Sequence, residues 1–365
     1  MVRLKKTMLL LMIFNFMYLI FPLIASELIF NSNFYIYSNY QSKSILPSVA
    51  TFILISAMIF FIFNREYKLD DRSLFDSNSF IIKLSFYSLI IYCFVVFFVG
   101  MHYKLQGTPR VVMLAIQDKY FFSGLAFLIL AAITYVISPR RNLQFFALIF
   151  SFLIVDFAFS GKIFSFLAFI LIVFRMDCLE SLGYAKKRSI LPIIALGVLF
   201  VLVIWAMRLT LAGKDAPSDV VSIIYTVASE FMGVQASVGW AIHYSIVTIN
   251  TIGYPFVSTL EPFYIGSVGH GLAISTAAYF VGMFGSWWFA AEFFYLLFTF
   301  LLILLFKKQL GPFAPLVIAL NFQHFMRHGV DVFTIKLITQ IIFMFLLVAY
   351  LSMMKKSINV RNSIK

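Results

Sequence analysis

Charge is what this chain has least of. Asp, Glu, Lys and Arg make up 12% of its 365 residues, about half the share usual in soluble domains. Hydrophobic residues reach 62%, and mean hydropathy is +0.98. That balance excludes a water-soluble fold and implies an integral membrane protein. The short alternating segments of an outer-membrane barrel are missing too: the apolar runs are continuous and about 15–25 residues long, as helices require. Cysteine is scarce. Cys93 lies within an apolar run and Cys178 just after one, so no disulfide framework is implied. Acidic residues number 15 against 28 basic ones, a net charge of +13. The basic residues sit in short clusters between apolar runs, which is the positive-inside pattern and not a nucleic-acid-binding patch. No Gly-rich phosphate loop and no GxGxxG occurs between the runs, which argues against an ATP-driven pump or an enzyme using nucleotide sugars from inside. Internal repeats, inverted repeats and low-complexity tails are also absent from the sequence.

What is present is a series of apolar runs. Ten spans are predicted, at 7–25, 44–63, 81–101, 120–138, 143–159, 163–175, 190–207, 287–306, 312–325 and 334–354. The sixth and ninth are short and are expected to be tilted, broken or longer than their apolar cores. The first run follows a basic segment, as a signal peptide would. It is longer than a usual signal core, and removing it would break the alternation of the later loops, so it is read as a span. With the N-terminus inside, 18 of the 28 basic residues fall on the cytoplasmic side, Lys5, Arg65, Arg140, Lys187 and Lys307 among them. Eight fall outside: Lys43, Lys104, Arg110, Lys119, Lys162, Arg208, Lys214 and Arg327. Lys83 and Lys336 lie near span ends and are expected to snorkel. Both termini are then cytoplasmic. The expected fold is an all-α polytopic membrane bundle, a single domain over 1–365, with a large outer or interfacial segment at 208–286. Its half-apolar stretch 220–249 lies on the membrane surface or adds two further spans, for twelve in all.

Unusual residues gather on the outer side. The stretch NFQHFMRHGVDVF (321–333) sets Arg327, His328 and Asp331 between two apolar runs, and Ser160-Gly161-Lys162 forms a complete outer turn. Arg208 stands where the seventh span emerges. Three cations at three span ends on one face suit an anionic lipid headgroup, since arginine grips phosphate with a planar fork and lysine offers a point charge. Each cation also has a plain reading as an interfacial anchor, and Arg327–Asp331 one as an i,i+4 ion pair. Glu230, Glu261, Asp215, Asp331, His243, His270 and His328 could accept a proton from an attacking hydroxyl. Glu292 and Asp156, within spans, could hydrogen-bond neighbouring helices. His324 and His328 have metal-ligand spacing without evident further ligands, so no metal is expected.

The spans, the late outer segment opening on Arg (IWAMRLTLAGKD) and the late short loop FMRHGVD resemble the O-antigen polymerase (Wzy) family of bacterial inner-membrane proteins. The tract HGLAISTAAYFVGMFG (270–285) is similar to the His…GxxG tract of O-antigen ligases, with His270, Gly282 and Gly285 at the matching positions. Unlike some polymerases, the chain has Ile224 and Phe343, not Gly, sixteen positions after Arg208 and Arg327. The resemblance implies a GT-C-like membrane glycosyltransferase without cofactor or metal. It would join undecaprenyl-diphosphate-linked oligosaccharide repeats on the periplasmic face in lipopolysaccharide biosynthesis, beside a flippase and a chain-length regulator. By the same resemblance Arg208, Arg327 and Lys162 hold the diphosphate. Asp331, His328 and Lys214 orient it or bind sugar, and Glu230 or His270 is the base. A lipid-linked oligosaccharide flippase is the rival reading, and an O-antigen ligase a second.

Overall fold

The computed structural model describes residues 1–28, 41–68, 80–120, 123–186, 189–192, 194–197, 199, 231, 234–235, 237–239, 241–242, 274–327 and 329–363. Almost all of these are helical. The helices are α1 (Lys5–Leu19), α2 (Phe21–Leu28), α3 (Gln41–Phe63), α4 (Phe80–Leu105), α5 (Arg110–Tyr120), α6 (Ser123–Val136), α7 (Asn142–Phe159), α8 (Ile163–Ser181), α9 (Thr276–Phe284), α10 (Trp288–Leu310), α11 (Phe313–Arg327) and α12 (Val330–Ser363). Further helical turns occur within 191–199 and 231–242. Single 3₁₀ turns lead into α7 and link α9 to α10. Among the described residues, five stretches are long and apolar enough to cross a membrane: 43–63, 80–105, 139–159, 276–310 and 330–347. Large apolar side chains cover their outward faces, Leu143 and Phe294 among the most exposed. Such a surface suits lipid and not water.

The remaining expected spans take other forms. The first is split at Ile20, because Pro22 at the start of α2 cannot donate to the preceding turn. The fourth is the 14-residue α6, shorter than the expected 120–138, and the 11-residue α5 precedes it. The sixth, α8, runs to Ser181, and Arg175, Asp177 and Glu180 occupy its last turns. The eighth begins at Thr276 instead of 287, so α9 and α10 form one bent run. The ninth is short because it is interior. Every residue of α11 from Phe313 to Met326 is buried, against α1, α8, α9, α10 and α12. A helix that meets no lipid can carry polar groups on any side provided each is partnered.

The end of the bundle holding the N-terminus is fastened by polar contacts that apolar patterning does not reveal. Val2–Arg3 pairs antiparallel with Glu66–Tyr67, a two-stranded ribbon among described residues that are almost all helical. Arg3 bonds Glu66 across it and holds that carboxyl below its ordinary range. This fastening is therefore kept until pH falls through the depressed value. Lys6 pairs with Glu180. Asp177 of α8 caps the N-terminus of α1, accepting from Lys6 N at 3.1 Å, Thr7 N at 2.8 Å and Thr7 Oγ1 at 2.9 Å. Arg175 donates to the carbonyls of Val136 and Ser138 and to Asn142 Oδ1, which closes the connection between α6 and α7.

Removing the cap leaves buried backbone N–H groups unpaired. Asp177→Ala should lower stability by about 1–3 kcal/mol, read as a lower midpoint of thermal unfolding in detergent. An unchanged midpoint would show that the cap is dispensable.

Candidate functional site

The opposite end of the bundle collects the unusual residues. α7 and α8 meet there in the turn Ser160-Gly161-Lys162. Asp156, fully buried, holds that turn. Its Oδ2 accepts from Ser165 N and Ser165 Oγ, both at 2.6 Å, and its Oδ1 accepts from Gln117 Nε2 at 3.2 Å. Asp156 is thus the N-terminal cap of α8, a structural role. A Cβ on Gly161 would stand 2.7 Å from both Asp156 Oδ1 and Gln117 Oε1, so no side chain fits there. The backbone following is fixed, and Lys162, half-buried, is held at the helix start. Lys104 reaches the last turn of α7, donating to Phe157 O at 2.9 Å with its ammonium 4.6 Å from the Phe157 ring centre.

Arg327 ends α11. Its carbonyl accepts from Ile274 N at 2.9 Å, and its side chain hydrogen-bonds the buried Tyr18 hydroxyl at the end of α1. Gly329 follows with φ +95, and a Cβ there would meet Asp331 Oδ1 at 2.8 Å. Asp331 is exposed in the first turn of α12, where a carboxylate complements the helix dipole. Lys162 and Arg327 belong to the same end. α1 starts beside the end of α8 (Arg3 with Ser181) and finishes beside the end of α11 (Tyr18 with Arg327). The start of α8 and the end of α11 therefore face the same way. Lys162, Arg327 and Asp331 are the expected site residues that are described. Arg208, Lys214, Glu230, His270 and His328 lie outside the described residues, as do Asp215, His243 and Glu261.

Three arrangements escape the apolar pattern. Lys336, expected to snorkel, turns inward instead and donates to His324 Nε2 at 2.7 Å. One helical turn deeper, Asn321 and Gln340 exchange hydrogen bonds at 2.6 and 3.2 Å. Two of the polar letters of NFQHFMRHGVDVF, Asn321 and His324, thus belong to the seam between α11 and α12. Glu292, fully buried on α10, accepts from Thr51 Oγ1 of α3 at 2.8 Å, and Ser48, one turn away on the same face, is bonded by Gln235. The spacing of Ser44, Ser48 and Thr51 was the available signal, a polar stripe at helical period on an apolar span.

No family model, curated protein or solved structure matches this chain. The site therefore rests on its own chemistry: cations fixed at helix ends beside buried aromatic and polar groups, a setting in which a phosphate group can be held in low dielectric.

Gly161→Ala is the sharpest probe of the turn. The added methyl must displace Asp156 or Gln117 and disturb the α8 cap, at about 1–3 kcal/mol. Unfolding of this variant in detergent measures the loss, and wild-type stability would contradict the packing described.

Proposed function

We propose that this protein is a membrane glycosyltransferase of the O-antigen polymerase kind. It would join undecaprenyl-diphosphate-linked oligosaccharide repeats on the outer face of the bacterial inner membrane, within a GT-C-like bundle of ten or twelve spans. The observation that carries the reading is the location of Lys162 and Arg327 at one end of the bundle, each beside a locally enforced turn. In the transfer, an acceptor hydroxyl attacks the anomeric carbon. Its O–H bond breaks, the new C–O bond forms, and the bond from the anomeric carbon to the diphosphate oxygen breaks with its electron pair. Negative charge grows on the departing lipid diphosphate, and fixed cations stabilise it more in the transition state than in the ground state. Arg327 and Lys162 do this, with Arg208 as the third cation. Asp331, beside Arg327 in sequence and exposed at the same end, orients the headgroup or its sugar with His328 and Lys214. Glu230 or His270 takes the proton.

A second reading has a specific observation behind it. Glu292 with Thr51, and His324 with Lys336, are ionisable groups inside the bundle, and such groups commonly mark a path across a membrane. They favour the lipid-linked oligosaccharide flippase. The cations at a single end favour the transferase.

Arg327→Ala should reduce polymerisation about 10²-fold, the usual loss for a preorganised charge-stabilising donor. Arg327→Lys should restore part of it, because a point charge replaces the fork. The check is the length distribution of polysaccharide on a gel at matched protein levels. Wild-type lengths in Arg327→Ala would remove the residue from the mechanism.

A further inference from the structure

The polar nest between α3, α10 and the 231–242 segment has more acceptors than donors. Glu292 Oε2 receives Thr51 Oγ1, but among the described residues Glu292 Oε1 has no partner. Gln235 spends its Nε2 on Ser48 Oγ, and its Oε1, also buried, has no partner among the described residues either. Ser48 Oγ donates to Ser44 O at 2.8 Å, so its proton is used, and the proton of Thr51 is used on Glu292. Ser48 and Thr51 stand three residues apart on one face of α3, so the groups they hold are about one helical turn apart. Among the described residues no Lys, Arg or His forms a salt bridge with Glu292. A buried carboxylate and a buried amide oxygen, both short of a positive partner, are costly in a bundle whose outer face meets lipid.

We infer that Glu292 Oε1, Gln235 Oε1, Ser48 Oγ and Thr51 Oγ1 form a binding site for one monovalent hard cation, Na⁺. Size and charge decide the ligand. Glu292, Gln235, Ser48 and Thr51 are all 0% exposed, so a ligand there must be small enough to be wholly enclosed, a demand that an ion meets and a sugar does not. The ligands are all oxygen, which excludes soft metals. One carboxylate balances a single positive charge, whereas divalent ions in such sites draw on more. The nest adjoins the Arg327 end through Phe231, whose ring lies 5.0 Å from that of Tyr18, the residue bonded to Arg327. It adjoins it again through Ser237, which accepts from Ser275 N at the start of α9. The ion thus ties α3 and α10 to the segment lying beside the cation site. The inference stands independently of polymerase or flippase activity.

The test uses the full chain in detergent, with choline exchanged for Na⁺ at constant ionic strength. Binding of radioactive Na⁺ and the thermal midpoint are read together. Wild type should bind one Na⁺ per chain saturably and gain stability with it. Glu292→Gln, which keeps the shape, should abolish both effects, and Thr51→Val should weaken binding at least about tenfold, the loss of one ligand. Absence of saturable binding in wild type overturns the site, as does equal binding by Glu292→Gln. Stability that follows pH with no dependence on Na⁺ overturns it too, and assigns the positive partner as a proton. If Glu292→Gln fails to fold, Thr51→Val decides, and unchanged affinity there overturns the inference.

Discussion

One constraint governs the interior of this bundle: a polar group withdrawn from both water and lipid must find its partner within the protein. α11 shows it most fully. Lipid tails give no hydrophobic drive for helices to associate, so packing and interhelical hydrogen bonds hold them. α11 is enclosed by five other helices and carries Asn321 and His324, and each has its answering group on α12. Breaking one of these pairs strands the other member, which costs more than the pair itself contributes. The register of α11 against α12 is set by those pairs, and with it the position of Arg327 one turn beyond His324.

The same logic builds the turn at Lys162. Asp156 is enclosed, so its carboxylate must be answered, and the start of α8 answers it with the Ser165 N–H and hydroxyl. At the other end of the bundle Asp177 serves α1 in the same way. Acidic residues in spans are here mainly helix caps donated across the bundle. Glu292 differs, since its single described donor leaves one oxygen without a partner. That difference separates a fastening from a candidate site.

Much of this was legible in the residues. The runs at 44–63, 81–101 and 143–159 fall within a few positions of α3, α4 and α7, because a lipid-facing helix must be apolar along its whole length and hydropathy measures that directly. The short run at 312–325 matches α11, but its apolar letters do not reveal that the helix is enclosed by protein, since hydropathy does not distinguish a helix buried in protein from one in lipid. The start of the run at Thr276 is hidden in sequence because Gly282, Gly285 and Ser286 lower the apolar signal, while the chain keeps its helical course through a 3₁₀ turn. Lys336 reads as a surface residue in sequence because the partner that draws it inward, His324, lies on another helix. The position of Lys162 and Arg327 at span ends is legible in the charge pattern. That pattern gives no hint of Thr51 or Gln235, whose roles arise only when three segments meet.

The central claim is that this chain polymerises lipid-linked repeats. Its most direct test is a gel of lipopolysaccharide from a clean deletion strain beside its complemented parent. The account predicts that the ladder collapses to core carrying a single repeat, because flipping and attachment of one unit continue. Loss of the single-repeat band as well would contradict it and place the protein at the flipping or attachment step.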